Sequence, residues 1–203
     1  MNVIAEMPGR AKRLKAATTE AHERLDQRIM AAAPFASRDR YALFVQVQHQ
    51  FHRDIDALYE NVELDALLPD LAGRRRLPLI VKDLQDLGQD EPVSSAPPVF
   101  GGQIDIPTAM GWLYVAEGSN LGAAFLLKEA VKLNLSGSFG ARHLAGAPEG
   151  RGLHWRTFTA ALDSSQLSND EEQRVIAGGT AAFARVRGLV EALMPLPSKS
   201  ETV

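Results

Sequence analysis

A chain of 203 residues with 45% hydrophobic side chains carries enough apolar material for one substantial core, and a formal net charge of -3 leaves no broad basic footprint for nucleic acid. Cysteine is absent, which removes disulfides, thiolate metal sites, cysteine-held iron–sulfur clusters and thiolate nucleophiles together. No stretch approaches the roughly 20 apolar residues of a transmembrane span and the first residues lack an apolar leader pattern, so the expectation is a soluble, cytoplasmic protein that binds no nucleic acid.

The first periodic segment covers 10–32, where Leu14, Ala17, Thr18, Ala21, Leu25 and Ile29 recur at helical spacing. Pro34 interrupts it. Ser37 then caps a second helix carrying Tyr41, Phe44, Val45, Gln48, Phe51, Ile55 and Leu58, with Asp39 in the favourable first turn. A short segment, 64–68, precedes Pro69, and Arg74, Arg75 and Arg76 lead into Leu77, Ile80, Val81, Leu84 and Leu87. Arginines at a helix start oppose the macrodipole, so this run reads as a solvated corner.

Residues 90–102 are rich in Pro, Ser and Gly and read as a loop. Pro107 suits the first turn of a long helix that extends to about residue 133, with a bend expected near 118–122. A turn-rich stretch follows over 136–150, then a short helix over 155–162. Ser168-Asn169-Asp170-Glu171 forms a capping-box pattern ahead of a last helix carrying Val175, Ile176, Ala182, Phe183, Val186, Leu189, Val190 and Leu193. Strand alternation and internal repeats are missing, so the fold class is all-α, with one helical domain over 10–194 and flexible ends over 1–9 and 195–203.

Five histidines are the first candidates for metal chemistry in a cysteine-free chain. His22 borders the apolar stripe one turn from Thr18 and one turn from Asp26; it is either a boundary histidine or an iron ligand oriented by Asp26. His49 and His52 share a helical edge, as do Glu20 and Glu23, and both pairs read as solvated edges. His143 and His154, near Arg142, Arg151 and Arg156, read as structural, and Trp112 and Trp155 as core.

The long helix contains Gly111, Gly118 and Gly122, although a mid-helix glycine costs about 1 kcal/mol relative to alanine. Gly118 and Gly122 lie on one face. Tight helix packing and clearance for a flat or bulky group both remain open, and no phosphate-loop pattern follows.

The run Leu14-Lys15-Ala16-Ala17-Thr18-Thr19-Glu20-Ala21-His22-Glu23-Arg24-Leu25 together with Gly111-Trp112-Leu113-Tyr114-Val115-Ala116-Glu117-Gly118-Ser119-Asn120-Leu121-Gly122-Ala123 resembles bacterial, biliverdin-producing heme oxygenases. Pro34-Phe35-Ala36-Ser37-Arg38-Asp39 and Phe139-Gly140-Ala141-Arg142-His143-Leu144 extend the match, which runs from about Arg10 into the last helix. The resemblance implies heme b held between a proximal helix and a kinked distal helix, serving as both substrate and oxygen-activating cofactor. Molecular oxygen is the implied co-substrate, and biliverdin, carbon monoxide and ferrous iron are the products.

His22 matches the proximal iron ligand, with Asp26 supporting it from the second shell where the family commonly has glutamate. Gly118 and Gly122 match the distal glycines, and Ser119 lies in the same turn, placed to support an ordered-water network. Lys15 matches a residue that meets a heme propionate, and Tyr114 one that seats the macrocycle. No carboxylate stands at Ser119, Asn120 or Leu121, whereas the mammalian-type motif has an aspartate after its first glycine. The branch that rotates heme carries Asn and Phe at the positions of Lys15 and Tyr114 and extra lysines at those of Met30 and Glu129, so cleavage at the α meso edge is the expectation here.

With no flavin or nicotinamide motif, reducing equivalents are expected from an external flavoprotein reductase or ferredoxin. The basic group Arg10, Lys12, Arg13 and Lys15 is a candidate for docking or propionate binding. The bilin would pass to a reductase or a photoreceptor, or the reaction would serve iron recovery. The different-class alternative is a non-catalytic heme carrier or sensor.

Overall fold

Capping side chains and prolines set where the helices begin. Ser37 accepts from the Arg40 amide, Asn61 from Leu64 and Asp105 from Thr108, while Ser168 and Glu171 complete a reciprocal capping box. The computed structural model describes residues 8–68 and 70–197, and contains α1 (Arg10–Ala31), α2 (Arg38–Ile55), α3 (Val62–Leu67), α4 (Leu71–Arg74), α5 (Leu77–Asp86), α6 (Ile106–Val131), α7 (Arg151–Ser164) and α8 (Asn169–Leu193). Short 3-10 turns occupy Asp56–Glu60 and Arg142–Leu144, and among the described residues the only β pairings are isolated bridges at Ser136. The two ends expected to be flexible fall largely outside the described residues.

Helix α8 is the shared support: α6, α1 and α2 all pack on it, α5 covers α2, and α7 covers α6. The core between them includes Tyr41, Phe44, Phe51, Trp112, Leu113, Phe158 and Val190. Phe51 stacks on Trp112, whose other contact is the edge of Phe100.

Glycine earns its place where α6 crosses α8. A Cβ on Gly111 would lie 2.1 Å from the Val175 carbonyl oxygen, and one on Gly178 would lie 2.2 Å from that of Thr108. The two backbones therefore touch directly. A Cβ on Gly179 would meet Leu14 at 3.1 Å and Thr18 and the Gly111 carbonyl at 3.6 Å, so α1 joins the same crossing.

Two expectations about charge are corrected. The run Arg74-Arg75-Arg76 is not a solvated corner: Arg74 and Arg76 are buried, and Arg75 forms ion pairs with Asp56 and Glu60. Acceptors from distant segments replace part of the lost water, Glu117 and the His154 carbonyl for Arg74 and the Ala145 carbonyl for Arg76, which the linear sequence cannot show. His49 and His52 likewise turn into the core, because α5 and the loop after it cover that edge; His49 Nε2 lies 3.1 Å from Glu91.

Burial, reinforced by the positive charges of His143, Arg76 and His49, pushes the His52 imidazole down to about 3, so it folds neutral. The unfolded chain, with histidine near its ordinary 6.5, binds the extra proton. Stability from this group is therefore complete above that value and falls as pH drops from 6.5 toward about 3, by up to ~1.4 kcal/mol per pH unit. Urea unfolding at a series of pH values should show this slope flattened in His52→Gln; an identical slope in that variant would sink the assignment.

Candidate functional site

The five histidines divide sharply by environment. His49, His52, His143 and His154 are buried, whereas the His22 side chain is 59% exposed. His143 Nδ1 is bonded to Asp83 at 2.8 Å and His154 Nδ1 to Glu149 at 2.7 Å. Burial pushes the Asp83 carboxyl up, but its bonds to His143 and Arg142 outweigh this and hold it below the usual carboxylate range. These partners fit the structural reading of His143 and His154.

His22 projects from α1 with Nδ1 3.4 Å from Asp26 Oδ2, one turn on, and its ring meets the edge of Phe183 on α8 at 5.8 Å between centroids. The Asp26 carboxylate thus reaches the imidazole from the same helix, at a distance long for a hydrogen bond. Nε2 carries no hydrogen bond among the described residues. Lys15 lies seven residues earlier, two turns along the same face, exposed and without an ion pair among the described residues. Of the basic group near it, Arg10 and Arg13 turn inward to Glu172, leaving Lys12 and Lys15 exposed.

Helix α6 changes character at its midpoint. Residues 109–117 are buried on every side, as a helix apolar all round demands. Beyond Glu117 one side opens: Leu121 is 44% and Phe125 54% exposed. The helical backbone itself continues without interruption across the glycines.

A Cβ on Gly122 would meet nothing within 4 Å, and one on Gly118 would touch only the Trp155 ring at 3.5 Å, an ordinary contact. Neither glycine is there to admit another helix. Tyr114, on the same face, packs its ring 5.4 Å from Trp155, and burial raises its hydroxyl above the ordinary tyrosine range. The Ser119 hydroxyl donates to the Ala116 carbonyl at 2.6 Å, so its remaining capacity is as an acceptor.

The two helices share an origin. From the crossing at Gly179, His22 is one turn beyond Thr18 on α1, Phe183 one turn beyond Gly179 on α8, and Gly118 two turns beyond Gly111 on α6. An imidazole whose Nε2 is free among the described residues, the Phe183 ring, the open helix face at Gly122 and exposed Lys15 fit a flat, iron-bearing, carboxylate-decorated macrocycle. Among the described residues no three His, Asp or Glu side chains converge as a metal site, so protein ligands alone form no such centre.

The model of the family described as heme oxygenase matches residues 101–192. Heme oxygenase PigA of Pseudomonas aeruginosa is 43% identical over 182 residues, which are 90% of this chain and 91% of that protein. The chain belongs to the heme oxygenase family. Among solved structures, the NO- and CO-bound heme oxygenase of Neisseria meningitidis superposes with a TM-score of 0.87 at 40% identity, covering 95% of this chain and 96% of that one. Heme oxygenase from Leptospira interrogans has a TM-score of 0.74 at 18% identity over 92% and 100% of the two chains, a likeness of fold alone. Family membership makes the chain an enzyme of heme cleavage to biliverdin, with heme as substrate. Among the described residues no helix is long and apolar enough to cross a membrane.

Sequence reasoning passed over Glu117, whose side chain is 1% exposed and ion-paired to Arg74. A signal existed. A single acidic residue directly after the apolar run from Met110 to Ala116 implies a buried partner.

Proposed function

We propose that this chain binds heme b between α1 and α6, with the His22 imidazole on the iron, and opens the ring at the α meso edge. The observation that carries the reading is one exposed histidine on α1 together with a glycine face on α6 where a Cβ would meet nothing at Gly122 and only the Trp155 ring at Gly118. When bound, heme supplies both the iron that activates oxygen and the ring carbon that is oxidised.

The chain's own residues hold and orient. Asp26, 3.4 Å from His22 Nδ1, favours the tautomer with its proton on Nδ1 and leaves Nε2 to face the iron. Lys15 draws a propionate toward the N-terminal part of α1. Gly118 and Gly122 bring the backbone close to the distal face, while Leu121 and Phe125 exclude water from its edge. Protons reach this side through backbone and water, since residues 119–121 offer no carboxylate.

The edge assignment rests on electrostatics at the two positions where the heme-rotating branch carries lysine. Met30 is uncharged, and the Glu129 carboxylate is paired with Lys132 at 2.7 Å, so neither residue offers a propionate a positive charge. Lys15 therefore supplies the attraction. Oxygen is the co-substrate, and electrons come from an external flavoprotein reductase or ferredoxin, for which exposed Lys12 and Lys15 are candidate contacts. Biliverdin then passes to a reductase or photoreceptor, with carbon monoxide and ferrous iron released, and the setting is cytoplasmic.

Anaerobic reconstitution with heme, followed by oxygen and an electron donor, tests the whole reading. The expected product is biliverdin IXα. Another isomer overturns the edge assignment, and stoichiometric heme binding without ring opening makes the chain a carrier or sensor.

A further inference from the structure

Glu117 stands one residue before Gly118, and its carboxylate is gripped from three other elements. Tyr59 Oη donates to Oε1 at 3.3 Å, Arg74 Nη1 donates to Oε2 at 3.0 Å, and His154 Nε2 lies 3.5 Å from Oε2. Arg74 also donates to the His154 carbonyl at 3.3 Å and lies over the Phe158 ring. His154 in turn reaches outward to Glu149. The Glu117 carboxylate close to Nε2 and the bond to Glu149 raise the His154 imidazole above the ordinary histidine range against the opposing effects of burial and Arg74. Glu117 and His154 border a cavity of about 10 Å³ shared with Arg76, Asn120 and Arg151, where Arg76 Nε and Asn120 Nδ2 have no hydrogen-bond partner among the described residues.

A buried ion pair is a poor source of stability, because removing both charges from water costs about what their attraction returns. What a three-sided grip delivers is direction. Residues 109–117 are locked by burial, but between Glu117 and Ala123 no residue of α6 is fully buried, so packing holds this stretch less firmly and polar ties matter more, among them Arg151 Nη1 donating to the Asn120 carbonyl at 2.7 Å. A roll of about 20° would carry a Cα, roughly 2.3 Å from the helix axis, through ~0.8 Å. That exceeds the ~0.5 Å within which a working site must be held.

We propose that Glu117 is a positioning residue for the distal side: the Tyr59, Arg74 and His154 grip on its carboxylate sets the roll of α6 and hence where the Gly118 and Gly122 backbone stands. The inference rests on the reading of that glycine face as the heme wall. Two measurements on the full chain separate the claims. In the heme-free protein, Glu117→Gln should speed amide exchange over residues 118–123 by about tenfold or more while leaving the core of α2 unchanged. In the ferrous heme-loaded protein with carbon monoxide as probe, Glu117→Gln, Arg74→Met and the double variant should share one displaced C–O stretching frequency, because all three release the same grip.

Exchange that is unchanged over 118–123, or raised equally throughout the chain, overturns the proposal. So does a C–O frequency equal to that of the unaltered protein. Should Glu117→Gln not fold, His154→Asn leaves Tyr59 and Arg74 in place and must show the same local pattern at smaller size; uniform exchange there is equally fatal. If heme fails to bind the unaltered protein, the carbon monoxide comparison fails for every variant, whereas the exchange result still judges Glu117.

Discussion

His22→Ala abolishes axial coordination and lowers heme turnover by more than about 100-fold, since even the outer partners of a ligand histidine are worth about 10–100-fold. No other histidine can substitute. His49, His52, His143 and His154 are buried, three of them against carboxylates, and reaching a heme would require breaking those contacts and exposing core. The visible spectrum of the reconstituted variant, with the rate of heme loss under oxygen and reductant, checks the expectation. Free imidazole should restore the spectrum in part, because the space left by the ring matches it. An unaltered spectrum and rate would remove His22 as the ligand.

The second large effect is a pair of opposite signs from one substitution in one helix. Gly111→Ala places a methyl 2.1 Å from the Val175 carbonyl and 2.5 Å from the Gly179 nitrogen, both backbone atoms of α8 that no rotamer change can move aside. The α6–α8 crossing must separate, at a cost of about 3 kcal/mol or more. Gly122→Ala meets nothing within 4 Å and gains helix propensity, so stability should rise by about 0.5–1 kcal/mol while distal clearance shrinks and turnover falls. Denaturant unfolding and turnover, measured on both variants, separate these outcomes. A destabilised Gly122→Ala would mean that this glycine is there for packing after all.

The contrast also shows how far a sequence reaches. The glycines of α6 look alike along the chain, each a costly break in an apolar helix, yet one admits a neighbouring backbone and another faces open space. Helix ends were legible because their signals are local: Ser37 and Ser168 cap through hydrogen bonds within a few residues, and Pro107 stands in a first turn. The second helix was expected to reach Leu58 but gives way to a 3-10 turn after Ile55, and the short helix expected from residue 155 starts at Arg151. Boundaries of that kind depend on what packs alongside.

Charge was the least legible property. Arg74, Arg76, His52 and Glu117 carry the types of side chain that usually face water; Arg74 and Glu117 pair with each other, Arg76 reaches the Ala145 carbonyl, and His52 is buried as the neutral imidazole. Arg74 and Glu117 are separated by 43 positions, and no periodicity links them.

By itself, the sequence determined an all-helical domain, the absence of thiolate chemistry, and a family likeness that picks out His22 and the paired glycines. Those follow from composition, local hydrogen bonding and ordered residue identity. Only the tertiary structure decided which histidine is exposed, which glycines are contacts and which are clearance, and which charges are locked inside. Each of these depends on atoms from helices far apart in the chain arriving within a few ångströms of one another, and burial, clash and ion pairing act over just that distance.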